Sequence, residues 1–564
     1  MLLIPSRLLG PAVLAVFALA TPAQAPARQN APTEVPRRAV ERLLQPWNSE
    51  GAPGVAVSVS LNGSPAVQLS VGQANLEQRT LIGPGSAFET ASLSKQFTAF
   101  AVLLLEQDGR LSIDDPVTKY LPEMARFKAI TLRHLLTHTS GLRDGLTMLT
   151  AAGWREEDFF SNEQVLDTVF AQTRLNFEPG TAYQYNNSGY LLLAEIVRRV
   201  SGRSLAAFCA DRMFKPLGMT RSRFQGDIAD IIPERVESYR VRKGQYRREV
   251  LSSVLAGPTG LLTTIDDLSR WARNFETGAV GGQALLRRME ERPRLPGGET
   301  SFYAFGQEFH VYKGLRTWSH GGREAGFRSF LLRIPDEQFS VAVLANRNDI
   351  DAAGLAYRIA DIYLSGRPSY RPDPADTSVP EASELTAYAG NYELYPGIIF
   401  QLRKQGGGLS FTHMGRGKPE LLPALSRSAF ELDASSNLSL VFDPPVKGHS
   451  NGVAYRVGLN GSLPARRIEL APFDASGVAL ADFAGRYASR ELRTEYQIAL
   501  DSGSLVIRHP RRPVIRLLAY QKDMFMAVDE TPARLHFRRD ASGQITGFDL
   551  SVPLAENIAF ARAD

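Results

Sequence analysis

The C-terminal third of this 564-residue chain repeats itself, and no other feature limits its fold as tightly. Leu385 followed by Tyr388-Ala389-Gly390-Asn391-Tyr392 recurs as Leu480 followed by Phe483-Ala484-Gly485-Arg486-Tyr487, an offset of 95 residues. Gly407, Leu409 and Phe411 recur as Gly503, Leu505 and Ile507 at an offset of 96. Phe430 and Phe442 recur as Phe525 and Phe537, again at 95. A near-constant offset at four places means two copies of one unit. Each copy consists of short alternating runs broken by Gly, the pattern of antiparallel strands. A unit built only of strands must hide its sheet edges, and closure into a barrel does so. The spacing predicts two small barrel-like β domains, residues 385–470 and 476–564.

Ahead of them, residues 366–384 form a linker with Pro368, Pro372, Pro374 and Pro380 and little apolar content. Residues 38–365 have a different texture. Val55, Val57, Val59 and Leu61 alternate, Asn62-Gly63 supplies a type I′ turn, and Val67, Leu69 and Val71 resume the alternation. Strands are expected again at 327–334 and 339–345. Helical patterns lie between: one carrying Ser92 and Lys95, a short one from Ile130 ending at Gly141, and others at 162–172, 188–200 and 265–275. Strands at both ends with helices between predict an α+β domain, one antiparallel sheet joined by its first and last segments and flanked by helices.

The chain is too long for a single core, in keeping with several domains. A net charge of +5 from 64 basic and 59 acidic residues is small for this length. The basic run Arg240-Val241-Arg242-Lys243 lacks a nucleic-acid motif, so no nucleic-acid partner is expected. Residues 1–25 read as an export signal: Arg7, the apolar run from Leu8 to Ala20, and the small-residue site Ala23-Gln24-Ala25. A retained anchor is the alternative. No later stretch is long and apolar enough to span a bilayer, so a periplasmic or secreted protein is expected. Cys209 is the only cysteine, which rules out an intramolecular disulfide.

Three motifs bear on chemistry. Ser92-Leu93-Ser94-Lys95 places a serine three residues before a lysine at what reads as a helix start. Residues at that spacing share a helix face, and a lysine of lowered pKa can activate the serine. Tyr185-Asn186-Asn187 lies in a loop entering an apolar helix. The Tyr185 phenol can exchange a proton with the serine if a nearby ammonium lowers its pKa, and Asn187 can bridge lysine and substrate. His320-Gly321-Gly322 precedes a buried strand, where glycines permit close backbone approach. His134 and His138 stand at i and i+4, but residue 135 is leucine rather than the glutamate of a zinc protease. They read as structural, and neither metal nor cofactor is expected.

With these motifs in this order, residues 38–365 resemble the serine β-lactamase and penicillin-binding-protein superfamily. The nearest branch is that of class C β-lactamase-like hydrolases, with D-aminopeptidases and esterases. The stretches His138-Thr139-Ser140-Gly141-Leu142, Pro216-Leu217-Gly218-Met219 and Gly257–Thr264 add to the resemblance. It implies that Ser92 is acylated, that Lys95 and Tyr185 move its proton, and that Asn187, His320 and Gly322 bind substrate. It also implies that the backbone N–H groups of Ser92 and Arg323 form the oxyanion hole. Drug-degrading members usually carry Lys-Thr-Gly where this chain has His320-Gly321-Gly322, so a small-molecule or peptide amide or ester is the expected substrate. D-residue peptides are among the candidates. A β-lactamase proper and a silent wall- or protein-binding descendant are the alternatives.

Overall fold

The computed structural model describes residues 34–563, except 156, 373–377, 434–437, 447, 451, 458–461, 472, 475–476 and 529–532. The expected export signal at 1–25 lies outside the described residues. Among the described residues no helix is long and apolar enough to cross a membrane.

The sheet of the first part is closed by the chain's two ends. Strands β1 (Val55–Leu61) and β2 (Ser64–Val71) form the expected hairpin, with Asn62 and Gly63 at φ 52° and 72°. Strands β3 (Glu308–Tyr312), β4 (Leu315–Glu324), β5 (Phe327–Ile334) and β6 (Phe339–Ala345) return from the far end of the sequence. The order is β3-β4-β5-β6-β1-β2, antiparallel throughout, with Val55 opposite Ala345 and Leu61 opposite Phe339.

Every residue of β6 is buried, because helices cover both faces. Val341 and Val343 point into a core shared with α1 (Glu34–Leu44) and a helix at Ala352–Leu364. Ala342 and Leu344 point into the other core. That core holds α2 (Ser94–Gln107), α3 (Asn187–Ser201) and α4 (Ile265–Thr277). Each fully buried Val or Leu contributes about 1.5–3 kcal/mol, so the sheet is clamped from both sides. The stretch 130–142 is less helical than its pattern suggests. Its helix covers only Leu132–Leu136, and the chain then turns through His138 and Gly141 at φ 59° and 72°. Cys209 is buried, and burial raises its thiol pKa.

Among the described residues both repeats have eight strands in the same up-and-down order. In the second copy they form a closed barrel; in the first the strands Glu420–Leu422 and Ala429–Asp433 end the order unpaired with each other. The repeated residues make the same contacts in each. Tyr392 donates to Tyr388 O at 2.9 Å, and Tyr487 donates to Phe483 O at 2.8 Å. Phe430 meets Phe442 edge-on at 5.6 Å, as Phe525 meets Phe537 at 5.4 Å. Arg467 and Arg562, another pair 95 apart, each lie 5.9 Å from the ring of that tyrosine.

The second barrel docks on the first part of the chain. Arg143 and Glu491 form an ion pair of 2.7 Å with almost no exposure of either side chain. Asp144 N donates to Leu554 O at 3.0 Å, and Met148 and Ala151 belong to the barrel's own core.

Candidate active site

Ser92 sits at a kink that its neighbours hold in place. The short strand Phe88–Glu89 pairs with Leu261–Thr263, and the chain then passes through Ala91 at φ 50° into the 3-10 turn Ala91–Leu93. A left-handed conformation at a residue with a Cβ costs about 1–2 kcal/mol and persists only where surroundings impose it. Glu89 imposes it, because its Oε1 accepts from Ala91 N at 3.1 Å and Gly260 N at 3.0 Å. Ser94 is buried and spent on structure: its Oγ donates to Ala91 O at 2.6 Å and accepts from Leu261 N at 3.1 Å. Of the two serines only Ser92 is partly exposed. Helix α2 begins at Ser94, so Ser92 stands on the tight turn ahead of the helix rather than in its first turn.

Lys95, in the first turn of α2, is fully buried and aims its Nζ at three oxygens. Ser92 Oγ lies at 3.1 Å, Asn187 Oδ1 at 2.9 Å and Pro258 O at 3.0 Å. Burial lowers the ammonium from its usual range to about 7, while the carboxylates of Asp144 and Glu324 pull the other way. The Pro258 carbonyl is held in place by its loop, where Thr98 Oγ1 donates to Gly257 O at 2.8 Å and Thr90 Oγ1 to Leu261 O at 2.9 Å.

Tyr185 is hydrogen-bonded to Ser92, and Lys95 Nζ lies 4.7 Å from the centre of its ring. Desolvation outweighs the hydrogen bond with Ser92, so the phenol pKa is raised rather than lowered. Tyr185 is therefore a neutral hydroxyl, and Lys95 is the group that can take a proton near pH 7. Asn187 opens α3 behind the cap Asn186, whose Oδ1 accepts from Gly189 N at 2.8 Å. The backbone N–H of Asn187 donates to Asp144 Oδ2 at 2.9 Å, and its side-chain Oδ1 accepts from Lys95.

Strand β4 runs along the nucleophile turn. A Cβ on Gly322 would stand 2.0 Å from Thr90 O, so only glycine lets the two backbones approach this closely. His320 is buried, with Nδ1 2.6 Å from Gly321 O and Nε2 3.1 Å from the Tyr303 hydroxyl. A carbonyl can only accept, so Nδ1 carries the proton and Nε2 accepts from Tyr303. Burial lowers its pKa to about 4, and the ring is neutral at pH 7. Arg323, between Gly322 and Glu324 on the strand, is exposed to solvent.

Ser92, Lys95, Tyr185 and Asn187 thus meet in one hydrogen-bonded group, with the Gly322 backbone against it and His320 behind Tyr185. The family to which such a group belongs follows from comparison over the same residues. The family described as Beta-lactamase matches residues 37–364. The chain belongs to that family. A D-aminopeptidase of Brucella anthropi is 27% identical over 527 residues, 90% of this chain and 95% of that protein. A penicillin-binding protein of Bacillus subtilis is 30% identical over 392 residues, 65% of this chain and 85% of the other. Among solved structures, the octameric penicillin-binding protein homologue from Pyrococcus abyssi has a TM-score of 0.55 at 22% identity. The match covers 76% of this chain and 99% of that one. The D-amino acid amidase from Ochrobactrum anthropi SV3 has a TM-score of 0.50 at 21% identity, covering 59% and 99%. At such identities these two likenesses concern the fold. The protein is a serine hydrolase of the β-lactamase-related type.

Four more side chains belong to this family member's site, and of them only His138 lies in a stretch that adds to the resemblance. His138 is wedged between Tyr185 and Tyr303, 4.4 Å from each ring, and its Nδ1 accepts from Asn186 N at 3.1 Å. Tyr303 lies in an aromatic run, Phe302-Tyr303-Ala304-Phe305, that reads as core. Asp144 reads as the cap of the short helix Gly145–Ala151, and its bond to Asn187 spans 43 residues. Glu324 stands beside the glycine motif, a place that reads in sequence either as a substrate contact or as a surface carboxylate. His134 has the structural helix-end position expected of it, with Nδ1 accepting from Thr131 N at 3.2 Å.

Proposed function

We propose that the protein is an exported serine hydrolase that cleaves an amide or ester through an acyl-enzyme on Ser92. The observation that carries this reading is Lys95 Nζ, 3.1 Å from Ser92 Oγ and shifted by burial to about 7. A lysine so placed is neutral often enough to accept the hydroxyl proton as Oγ attacks the substrate carbonyl carbon. The backbone N–H groups of Ser92 and Arg323 hold the oxyanion. Tyr185, a neutral phenol bonded to Ser92, hands a proton to the leaving nitrogen or oxygen and recovers one from Lys95. Water then attacks the ester, and Ser92 regains its proton.

Charge favours a substrate with a free amine. His320 is neutral at pH 7 and offers no fixed cation for a substrate carboxylate, whereas Glu324 and Asp144 both lie within the electrostatic reach of Lys95. With D-aminopeptidases among the relatives, an amide or peptide bearing an N-terminal D-residue is the preferred class. The same charge balance disfavours a β-lactamase proper. A silent binder is disfavoured by the buried Lys95, since a buried ammonium is costly and binding does not need it.

A fluorophosphonate probe is expected to label the peptide containing Ser92, and equal labelling of Ser92→Ala would sink the reading. Lys95→Ala is expected to slow acylation about 100-fold or more. Because Lys95 must be neutral to act, the acylation rate should rise as pH increases through about 7. A rate flat from pH 5 to 9 would argue that Lys95 is not the base. Export is tested by the N-terminus of the mature protein, expected at Pro26.

A further inference from the structure

Glu324 is the last residue of β4, and strand alternation places it on the face shared by His320 and Gly322. That face meets the nucleophile turn, while Arg323 between them points to solvent. The Glu324 carboxyl accepts from the Thr259 side chain, next to the Pro258 carbonyl that holds Lys95. It is partly reachable by solvent, so it lines the cleft rather than the core. Behind it stands Glu89, whose carboxyl is raised well above its usual range, by burial first and by Glu324 second. Burial likewise raises Glu324 to about 7.

This carboxylate lacks a cation of its own. Among the described residues the one positive group acting on it is Lys95, and all three Lys95 donors point at other oxygens. A carboxylate held in a cleft without a countercharge is unfavourable, and an arriving cation relieves it. The position also specifies which cation. Arg323 N–H is assigned to the oxyanion, and the Glu324 Cα is one residue, about 3.8 Å, further along the same strand. A group two bonds from the substrate carbonyl carbon lies within its reach.

The geometry points to Glu324 as the residue that docks the substrate's free α-ammonium, a specificity determinant for N-terminal aminoacyl groups. The inference rests on the acyl-enzyme reading and names its substrate class. Docking also has a consequence for the base. An ammonium placed among Glu324, Glu89, Asp144 and Lys95 adds positive charge beside Lys95 and favours its neutral form. The substrate's own amine then promotes proton acceptance from Ser92.

The test compares two p-nitroanilides, of D-alanine and of propionic acid, which differ by the amine alone. The quantity read is the ratio of their kcat/KM values, in which any effect common to both substrates, on Lys95 or on folding, cancels. Wild-type enzyme should prefer the alanine compound, and Glu324→Gln should lower the ratio about 30-fold, mainly through KM. Glu324→Asp should keep part of it. An unchanged ratio in Glu324→Gln overturns the inference, including the case where both rates fall together as for a deacylating base. Wild-type turnover of neither compound would instead sink the hydrolase reading, and this inference with it.

Discussion

The two barrels began from one sequence pattern and differ in one seam. In the second, Arg512–Gln521 pairs with Met524–Ala527 and the ring of eight strands closes. In the first, Glu420–Leu422 and Ala429–Asp433 do not pair directly. The seam is spanned by the bridge from Ala424 to Phe430 and by backbone hydrogen bonds, among them Leu425 N to Ala429 O and Glu431 N to Pro423 O, each 2.8 Å. The closed copy is the one that docks at Arg143 and Asp144. It contributes Glu491 to Arg143 and the Leu554 carbonyl to Asp144, the residue that positions Asn187. The first copy reaches its neighbour through Glu393, 3.0 Å from Arg534, and through a patch around Ile399, Tyr520 and Met526. An aromatic cluster therefore suffices to specify the barrel, while docking depends on residues outside the repeated positions.

The largest effects should come from the cluster itself. Phe537 touches Phe483, Phe525, Tyr487 and Phe548, and Phe442 touches Tyr388, Phe430 and Tyr392. Either Phe→Ala should destabilise its own barrel by about 3–5 kcal/mol. The closed copy should lose more, because Phe537 has the extra ring. Hydrogen exchange of peptides from each barrel would separate the two, and an equal or larger loss in Phe442→Ala would break the ranking.

Next comes the docking contact. Arg143→Ala strands Glu491 in a buried interface, a loss of about 3 kcal/mol when one partner of a buried pair is removed. The expected result is an undocked but folded second barrel: exchange rises at 143–151 and 554–557 while the barrel core stays protected, and turnover falls. Protection lost throughout residues 485–563 would mean that the barrel needs the dock in order to fold.

The same contrast explains what could be read from the chain before its structure. The repeat was legible because Tyr392 and Tyr487, or Phe442 and Phe537, each satisfy a local core whose spacing is fixed. The sheet was legible because alternation at Val55–Leu61 and the apolar run at Phe339–Ala345 reflect burial on one face or both. Ser92 and Lys95 are three residues apart, so their contact is local too. Asp144 and Tyr303 were not legible as site residues, since each acts through a partner distant in sequence and each has an ordinary residue's neighbours. Glu324 was marked by the adjacent glycine motif but not separated from a surface carboxylate. The direction of the Tyr185 shift was equally hidden. A nearby ammonium lowers a phenol and burial raises it, and only the packing shows that burial dominates. Arg467 and Arg562 obey the 95-residue offset but sit where alternation alone marks an exposed polar position.

The smallest effect tests how closely the two copies match. Tyr392 and Tyr487 are both buried, and each hydroxyl donates to the carbonyl four residues upstream. Tyr→Phe removes the donor and leaves a buried carbonyl without that bond, which costs about 1 kcal/mol. If the tyrosine–carbonyl bond belongs to the repeated unit and is independent of the seam, the two variants should agree within about 0.5 kcal/mol, in the range of ordinary additivity. Exchange rates at 388–392 and 483–487 measure this directly. A smaller loss at Tyr392 would mean that the open seam lets water reach the Tyr388 carbonyl, and would tie closure of the second barrel to the rigidity with which it meets Asp144.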